Sequence, residues 1–214
     1  MFAALMFFAL QATQDLAATE AVQPPRIRNL KNAASNAHYP SESIQRREYG
    51  IVSVLLHVSS DGSVESCLVT EKTNFAALDN ATCSLFKQTR FYPARNAAGL
   101  AVAGDYRGAT AWGTGDNRPK ITIELPLQVY DVPKDYKSPV KGRILIDASG
   151  HVAACDIVES SGSGAADRAA CAYIEKHGFV FSPFPKSGAS DVSPIAVRPF
   201  IASLSKQPSE ESNK

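Results

Sequence analysis

The stretch that decides the fold is residues 62–93, GSVESCLVTEKTNFAALDNATCSLFKQTRFYP, in a chain of 214 residues. It starts in a hairpin turn, continues as a strand and ends in a helix. The same pattern returns from Gly150, 88 positions after Gly62 (150 − 62 = 88). Other counterparts at this offset include Cys67 and Cys155, Asp79 and Asp167, and Cys83 and Cys171. A repeat this long predicts two small tandem domains rather than a stacked solenoid.

The bulk composition limits the classes of function. The chain has 22 Lys and Arg against 21 Asp and Glu, which gives a formal net charge of +1. This balance argues against a nucleic-acid-binding protein, which needs a basic surface for the phosphates. No run of like charges indicates a membrane-surface patch. We therefore expect neither nucleic acid nor a lipid surface as the partner.

The four cysteines form two pairs with the same spacing (83 − 67 = 16 and 171 − 155 = 16). Because each repeat carries its own pair, the simplest expectation is two disulfides, Cys67 with Cys83 and Cys155 with Cys171. A zinc site and free buried thiols are the alternatives, although the Cys-x-x-Cys knuckles typical of structural zinc sites are absent. Disulfides would place the protein in an oxidising compartment such as the bacterial periplasm.

The two ends of the chain differ in composition from its middle. Residues 1–12, MFAALMFFALQA, are apolar but too short for a membrane span, which needs about 20 residues. We interpret them as a truncated signal peptide; because no Lys or Arg precedes them, a frayed apolar N-terminus is the alternative. Residues 13–37 are expected to form a linker, and the polar residues 205–214 a disordered tail.

The first domain is expected over residues 38–118. Alternating apolar residues predict strands, and an apolar arc centred on Leu78 predicts a helix. The hairpin signal is Asp61-Gly62, since Gly62 tolerates the positive φ of a tight turn. The predicted elements are a helix at 41–49, strands at 52–58 and 64–71, a helix at 75–90 and a strand at 104–112.

The second domain is expected over residues 119–204, where one additional strand leads into the same strand–strand–helix–strand pattern. Its predicted elements are strands at 121–130, 140–146 and 152–159, a helix at 165–177 and a strand at 196–204. Pro199 lacks an N–H and should confine the last strand to an edge or a bulge. The fold class is therefore α+β, with about three antiparallel strands and one or two helices in each domain.

No arrangement of side chains indicates catalysis, a metal or a cofactor. The histidines His38, His57, His151 and His177 do not correspond under the repeat, as those of a duplicated site would. Residues 160–164, SSGSG, lack the Gly-Lys-Ser/Thr ending of a phosphate-binding loop. Asp79 and Asp167 do correspond, but a position in the first turn of a helix explains them through the helix dipole. We expect a protein that is not an enzyme.

Read together, these motifs resemble the C-terminal domain of TonB, the periplasmic energy transducer of Gram-negative bacteria. The first copy has Tyr39-Pro40, GIVSV at 50–54, Asp61-Gly62, LDNA at 78–81 and FYPA at 91–94. The second copy matches in part, at Ser149-Gly150, 166–169 and 181–184, and it lacks Tyr-Pro. The resemblance covers about residues 38–204 and implies two tandem TonB C-terminal-like domains, the second divergent.

The resemblance also implies a function. Domains of this family bind the extended box segment of outer-membrane transporters by strand addition, which suits a small sheet with an open edge. The expected partner is therefore a protein, such as a TonB-dependent outer-membrane receptor, and the expected location is the periplasm. The sequence shows neither the inner-membrane helix nor the long proline-rich spacer of TonB itself, so an auxiliary role is expected as readily as energy transduction. A disulfide-stapled structural envelope protein and an enzyme or metal-binding module are the alternatives.

The strand near 104–112 is the expected binding edge. Its predicted partner-binding residues are Tyr106, Arg107, Ala109, Ala111 and Trp112. Backbone pairing would supply affinity, while Tyr106 or Trp112 would supply side-chain contacts. The first domain is favoured because it keeps the family motifs, whereas Pro199 removes an edge donor from the second domain.

Overall fold

The computed structural model describes residues 23–28, 38–177 and 195–207, and these form two successive α+β units. The predicted signal peptide at 1–12 lies outside the described residues. So do most of the predicted linker, the partial motif at 181–184 and most of the predicted tail. The helices of the described residues are α1 (Ser41–Gln45), α2 (Ala76–Gln88) and α3 (Gly164–His177). None of these three is long and apolar enough to cross a membrane.

Three antiparallel strands form the first sheet. They are β2 (Gly50–Val58), β3 (Val64–Glu71) and β7 (Gly104–Trp112), in the order β3-β2-β7. The strands predicted at 64–71 and 104–112 are thus confirmed at both ends. Helix α2 covers one face of the sheet, and Leu78, at the centre of its predicted apolar arc, is fully buried there. The alternating apolar residues of β2 are fully buried on the same face: Val52, Val54, Leu56 and Val58.

Two pairs of very short strands complete the first domain. β1 (Arg26–Ile27) pairs with β4 (Phe91–Tyr92), and β5 (Ala94–Arg95) pairs with β6 (Ala101–Val102). Residues 26–27 fall within the segment predicted as a linker, so that prediction does not hold for them. Their strand depends on pairing with β4, a tertiary contact that two residues of local sequence do not reveal.

The second sheet has four strands rather than three. β8 (Ile123–Val129), β9 (Val140–Ile146), β10 (Val152–Glu159) and β11 (Ala196–Lys206) lie in the order β10-β9-β11-β8. β8 runs parallel to β11, whereas the other neighbours are antiparallel. Helix α3 covers one face and contributes three buried residues to this core, Ala166, Ala170 and Ile174. β11 continues to Lys206, so the predicted tail at 205–214 begins too early.

A disulfide joins strand to helix in each domain, as the spacing of the cysteines predicted. Cys67 of β3 is bonded to Cys83 of α2, and Cys155 of β10 is bonded to Cys171 of α3. No cysteine is free, so the alternatives of a zinc site and free thiols are wrong. Each bond spans a sequence separation of 16 residues and contributes about 3 kcal/mol, mainly by restricting the unfolded chain.

The prediction that Pro199 confines its strand to an edge or a bulge is wrong, because β11 lies between β9 and β8. The N–H of Val197 points away from β9 and donates to Ser53 Oγ at 3.1 Å. Peptide groups alternate along a strand, so the nitrogen of Pro199 also points away from β9. β8 begins to pair only at Phe200. The missing N–H of Pro199 therefore costs no hydrogen bond to β9.

An aspartate in the first turn of each long helix holds the preceding loop. Asp79 Oδ1 accepts hydrogen bonds from the backbone N and the Oγ1 of Thr73, both at 2.9 Å. Asp167 Oδ1 accepts the same pair from Ser161, at 2.9 and 2.8 Å. Burial works to raise the pKa of Asp167, but hydrogen bonds from Ser160 and Ser161 hold it below its usual value. Thr73 and Ser161 are counterparts in the repeat (161 − 73 = 88), so both helices begin in the same way.

Both hairpin turns contain a hydrogen bond from a serine hydroxyl to an aspartate carboxylate, with the two residues in exchanged positions. Asp61 Oδ1 accepts from Ser59 Oγ and from Ser63 N, and the hydrogen bond from Ser59 is the main cause that lowers the pKa of Asp61 to about 2. In the second turn Asp147 Oδ1 accepts from Ser149 N at 2.8 Å and from Ser149 Oγ at 2.6 Å. Under the repeat offset Asp147 takes the place of Ser59, and Ser149 takes the place of Asp61.

A buried ion pair joins the two domains. Arg198 Nη2 lies 2.6 Å from Glu71 Oε1, and both side chains are about nine-tenths buried. Ser53 Oγ donates to Glu71 Oε2 at 2.5 Å and accepts from Val197 N. Leu145 and Val197 are buried although they belong to neither core cluster. The beginning of β11 therefore lies against the face of the first sheet that α2 does not cover.

Glu71→Ala should destabilise the protein far more than Glu159→Ala, its counterpart in the repeat. Removing Glu71 leaves the Arg198 guanidinium buried without its carboxylate, a loss of about 3–5 kcal/mol. Glu159 pairs with Lys141 at 3.0 Å, with side chains 59% and 46% exposed, so its loss should cost less than about 1 kcal/mol. Denaturant unfolding of the full chain measures both, and similar losses would contradict a buried interdomain pair.

Gly62→Ala should be more harmful than Gly99→Ala. Both glycines have positive φ, +84° and +77°, so alanine meets a penalty of about 1–2 kcal/mol at either position. A Cβ at Gly62 would also lie 2.2 Å from Phe91 O, whereas one at Gly99 would have nothing within 4 Å. We expect the unfolding free energy to fall about twice as much or more for Gly62→Ala. Equal losses would mean that the backbone of Phe91 does not constrain this turn.

Candidate functional site

The predicted binding strand, β7, forms one edge of the first sheet. It pairs with β2 over its whole length, from Gly104 opposite Val58 to Trp112 opposite Gly50. The described residues place no strand on its other side. β7 is therefore held along one side by β2, and its outer side faces no strand of the described residues.

Alternation decides which backbone groups of β7 face outwards. At the hairpin Ser59 N donates to Ser63 O at 2.9 Å, so the odd-numbered peptide groups of β2 face β3. The even-numbered ones face β7, where their partners are also even-numbered, as in Val54 opposite Gly108. The odd-numbered peptide groups of β7 consequently face away from the sheet. Three of the five predicted site residues have such outward groups: Arg107, Ala109 and Ala111.

The other two predicted residues point their side chains into the first domain. Trp112 is 4% exposed, and its Nε1 donates to Thr82 Oγ1 of α2 at 2.8 Å. Its ring lies 5.3 Å from that of Tyr39. The ring of Tyr106 packs edge-on against Phe91 at 5.0 Å, and burial raises the pKa of its hydroxyl. The structure thus packs the rings of Tyr106 and Trp112 against core residues of the first domain.

Arg143 of the second domain reaches the candidate edge. Its Nη1 donates to the backbone oxygen of Arg107 at 2.6 Å, and its guanidinium lies 4.9 Å from the centre of the Tyr106 ring. Its Nε donates to Asp156 Oδ2 at 3.2 Å, which fixes the side chain from its own sheet. Sequence reasoning missed this residue. The only signal was that Arg143 stands where the first copy has Leu55 (143 − 88 = 55).

The part of the edge beyond Arg107 carries small side chains. Ala109 and Ala111 are half-buried, and each presents only a methyl group beside its outward peptide group. At the near end Asp105 Oδ1 lies 2.9 Å from His57 Nδ1, on an exposed surface. The stretch around Ala109 and Ala111 is therefore suited to the close approach of another backbone.

Histidines and acids do not assemble into a reactive centre in the described part of the chain. No three His, Cys, Asp or Glu side chains there are grouped to hold a metal ion. His151 Nδ1 lies 2.7 Å from Ser149 Oγ in the second hairpin turn. The ring of His177 lies 4.3 Å from that of Tyr173 on the same helix. Each of these contacts is local.

The fold and this edge define a class of protein: a small antiparallel sheet covered by a helix on one face, present here twice, with the outer side of the last strand facing away from the sheet in the first copy. A comparison with protein-family models agrees with this class. The model of the Gram-negative bacterial TonB protein C-terminal matches residues 35–112 and 134–200. The chain belongs to this family, in two tandem copies. A search of the curated proteins gave no match.

Family membership makes the chain a TonB-like module, from a non-catalytic family of protein-interaction domains in TonB-dependent transport. Its two disulfides and its family both fit a protein of the cell envelope or periplasm. The predicted resemblance and fold class are confirmed, including the tandem arrangement.

Thr82→Val tests whether Trp112 belongs to the core. The substitution keeps the shape of the side chain but leaves the buried Nε1–H of Trp112 without an acceptor, which should cost about 1–3 kcal/mol. The control is Ser84→Ala, which removes an exposed hydroxyl on the same helix and should cost less than about 0.5 kcal/mol. Fluorescence of Trp112, the single tryptophan, follows denaturant unfolding. Equal losses, together with ready quenching by acrylamide, would place Trp112 at the surface.

Proposed function

We propose that this protein is a periplasmic binding module that captures an extended segment of a protein partner along β7. The partner class that the family implies is the outer-membrane TonB-dependent transporter, whose box segment would add to the first sheet as a fourth strand. The observation that carries the proposal is the outer side of β7, where peptide groups face away from β2 in a strand that is itself fully paired on the inside.

The local chemistry supports binding mainly through the backbone. The N–H and C=O groups of Ala109 and Ala111 supply donors and acceptors, and their methyl side chains leave room for a second strand. Tyr106 and Trp112 contribute by stiffening β7 through the core, since their rings pack beneath it. A rigid edge lowers the entropy that must be lost when a flexible segment binds.

The contact from Arg143 limits where the partner strand can pair. Because the backbone oxygen of Arg107 already accepts from Arg143, an added strand would have to displace that guanidinium or pair beyond it, around Ala109 and Ala111. The second domain would then help to set the register of the captured segment. In this role the module is an auxiliary component of TonB-dependent transport, and energy transduction itself would need coupling to an inner-membrane motor.

Ala109→Pro should abolish capture while the protein stays folded. The N–H of Ala109 faces outwards, so proline removes a donor to the partner and puts its ring in the partner's path, but it breaks no bond to β2. The measurement is fluorescence anisotropy with a labelled synthetic peptide that spans the box segment of an outer-membrane transporter from the same genome.

Ala109→Ser is the matched control, since it keeps the N–H and should bind as the wild type does. Gly108→Pro is the control for folding, because the N–H of Gly108 faces β2 and its loss should lower the unfolding free energy by about 3 kcal/mol. If Ala109→Pro bound the peptide as tightly as the wild type, strand addition at β7 would be the wrong mode of binding.

A further inference from the structure

In the second domain a strand of the chain itself covers the edge that corresponds to the outer side of β7. Sheet order places β10, β9 and β11 in the positions that β3, β2 and β7 occupy in the first sheet. β8 then lies on the outer side of β11, where the described residues of the first domain have no strand. Its seven residues all pair, from Ile123 opposite Phe200 to Val129 opposite Lys206.

The hydrogen bonds identify this as the equivalent edge. Gln207 N donates to Val129 O at 2.9 Å, so the odd-numbered peptide groups of β11 face β8. Ser203 and Ser205 lie between this bond and Phe200 and share the same direction. In register, Ile201 and Ser203 are the counterparts of Ala109 and Ala111, since Ser53 pairs with Ala109 and its repeat counterpart Lys141 pairs with Ile201. In the second sheet, therefore, pairing with β8 uses the backbone groups whose counterparts in the first sheet face outwards.

The side chains of β8 show that it is bound as a strand ligand would be. Leu125 and Leu127 are each 7% exposed and belong to the second core, and Ile123 and Val129 pack against it. The residues between them are exposed: Glu124, Pro126 and Gln128. One face of β8 is thus buried and the other is solvated.

The outer side of β8 is closed to a further strand. Because the peptide group of Val129 faces β11, those of the even-numbered residues of β8 face outwards. One of these residues is Pro126, which has no N–H to donate. Proline on an edge strand is a device that prevents further pairing.

We propose that β8 is a built-in strand ligand of the second domain, so that of the two equivalent strands in the described residues, β7 and β11, β7 alone is open to an external strand. This inference rests on the proposed function. It assigns the two copies different tasks: the first captures the partner segment, and the second is permanently filled by its own chain and braces the first.

The number of peptides bound tests the inference. Titration calorimetry and native mass spectrometry of the full, oxidised chain with the transporter-derived box peptide should show one peptide per wild-type chain and none for Ala109→Pro. Two peptides per wild-type chain, with one lost in Ala109→Pro, would overturn the inference and leave the proposed binding at β7 intact. Binding that Ala109→Pro retains in full would overturn both. No binding to the wild type would instead refute the proposed function.

Amide hydrogen exchange gives a second test that needs no partner. The amides of Ser203 and Ser205, which face β8, should exchange only when the second domain unfolds. The amides of Ala109 and Ala111 should exchange at least about a hundredfold faster, as expected for groups that open without global unfolding. If Ser203 and Ser205 exchanged as fast as Ala109, β8 would not be a permanent occupant and the inference would be wrong.

Discussion

A sheet of three strands leaves the peptide groups on the outer side of its last strand without a neighbouring strand, and much of this molecule is a response to that constraint. Such an edge is either a liability or a binding site. In the second domain β8 supplies the missing neighbour, and Pro126 closes the new edge. In the first domain the described residues supply no strand there, and Arg143 donates to the outward backbone oxygen of Arg107. The difference between the copies therefore lies at the edge where we propose that the partner binds.

The contact between the domains offers a structural reason for this difference between the copies. Glu71, Arg198 and Ser53 form a largely buried polar network that fixes the beginning of β11 on the first sheet. Arg143 comes from the neighbouring strand of the second sheet and meets β7 at the backbone oxygen of Arg107 and the ring of Tyr106. A second domain that exchanged its own edge strand readily could not hold such a fixed position. Occupation by β8 and docking through Arg198 thus support each other.

Local pattern predicted most of the elements, because their periodicities lie within the segments themselves. The strands at 140–146 and 152–159 have the predicted bounds. Both predicted disulfides are present. Features set by tertiary pairing were not predictable: the strand at 26–27, the parallel pairing of β8 and the reach of Arg143. Pro199 shows why a general rule failed. Proline does avoid a position that needs an N–H for pairing, as the rule says. The sequence could not show that β8 pairs with β11 only from Phe200, the residue after Pro199, so that Pro199 can lie in an inner strand. For the proposed site, the sequence predicted the strand at 104–112, which is present. The register was needed to tell which of its peptide groups face outwards.

What the two copies share, and where they differ, separates scaffold from function. Both begin their long helix with an aspartate that binds a hydroxyl residue six positions earlier, and both lock strand to helix with a disulfide. Even the exchange of Ser59 and Asp61 for Asp147 and Ser149 preserves the turn, since one carboxylate still accepts from the loop. These contacts need only hold the sheet and helix together, and either copy meets that need. The outer side of the third strand takes no part in holding the sheet and helix together. In the first copy the peptide groups of Ala109 and Ala111 face outwards there, whereas in the second copy β8 covers this side. This is the division expected when one domain binds and the other supports it.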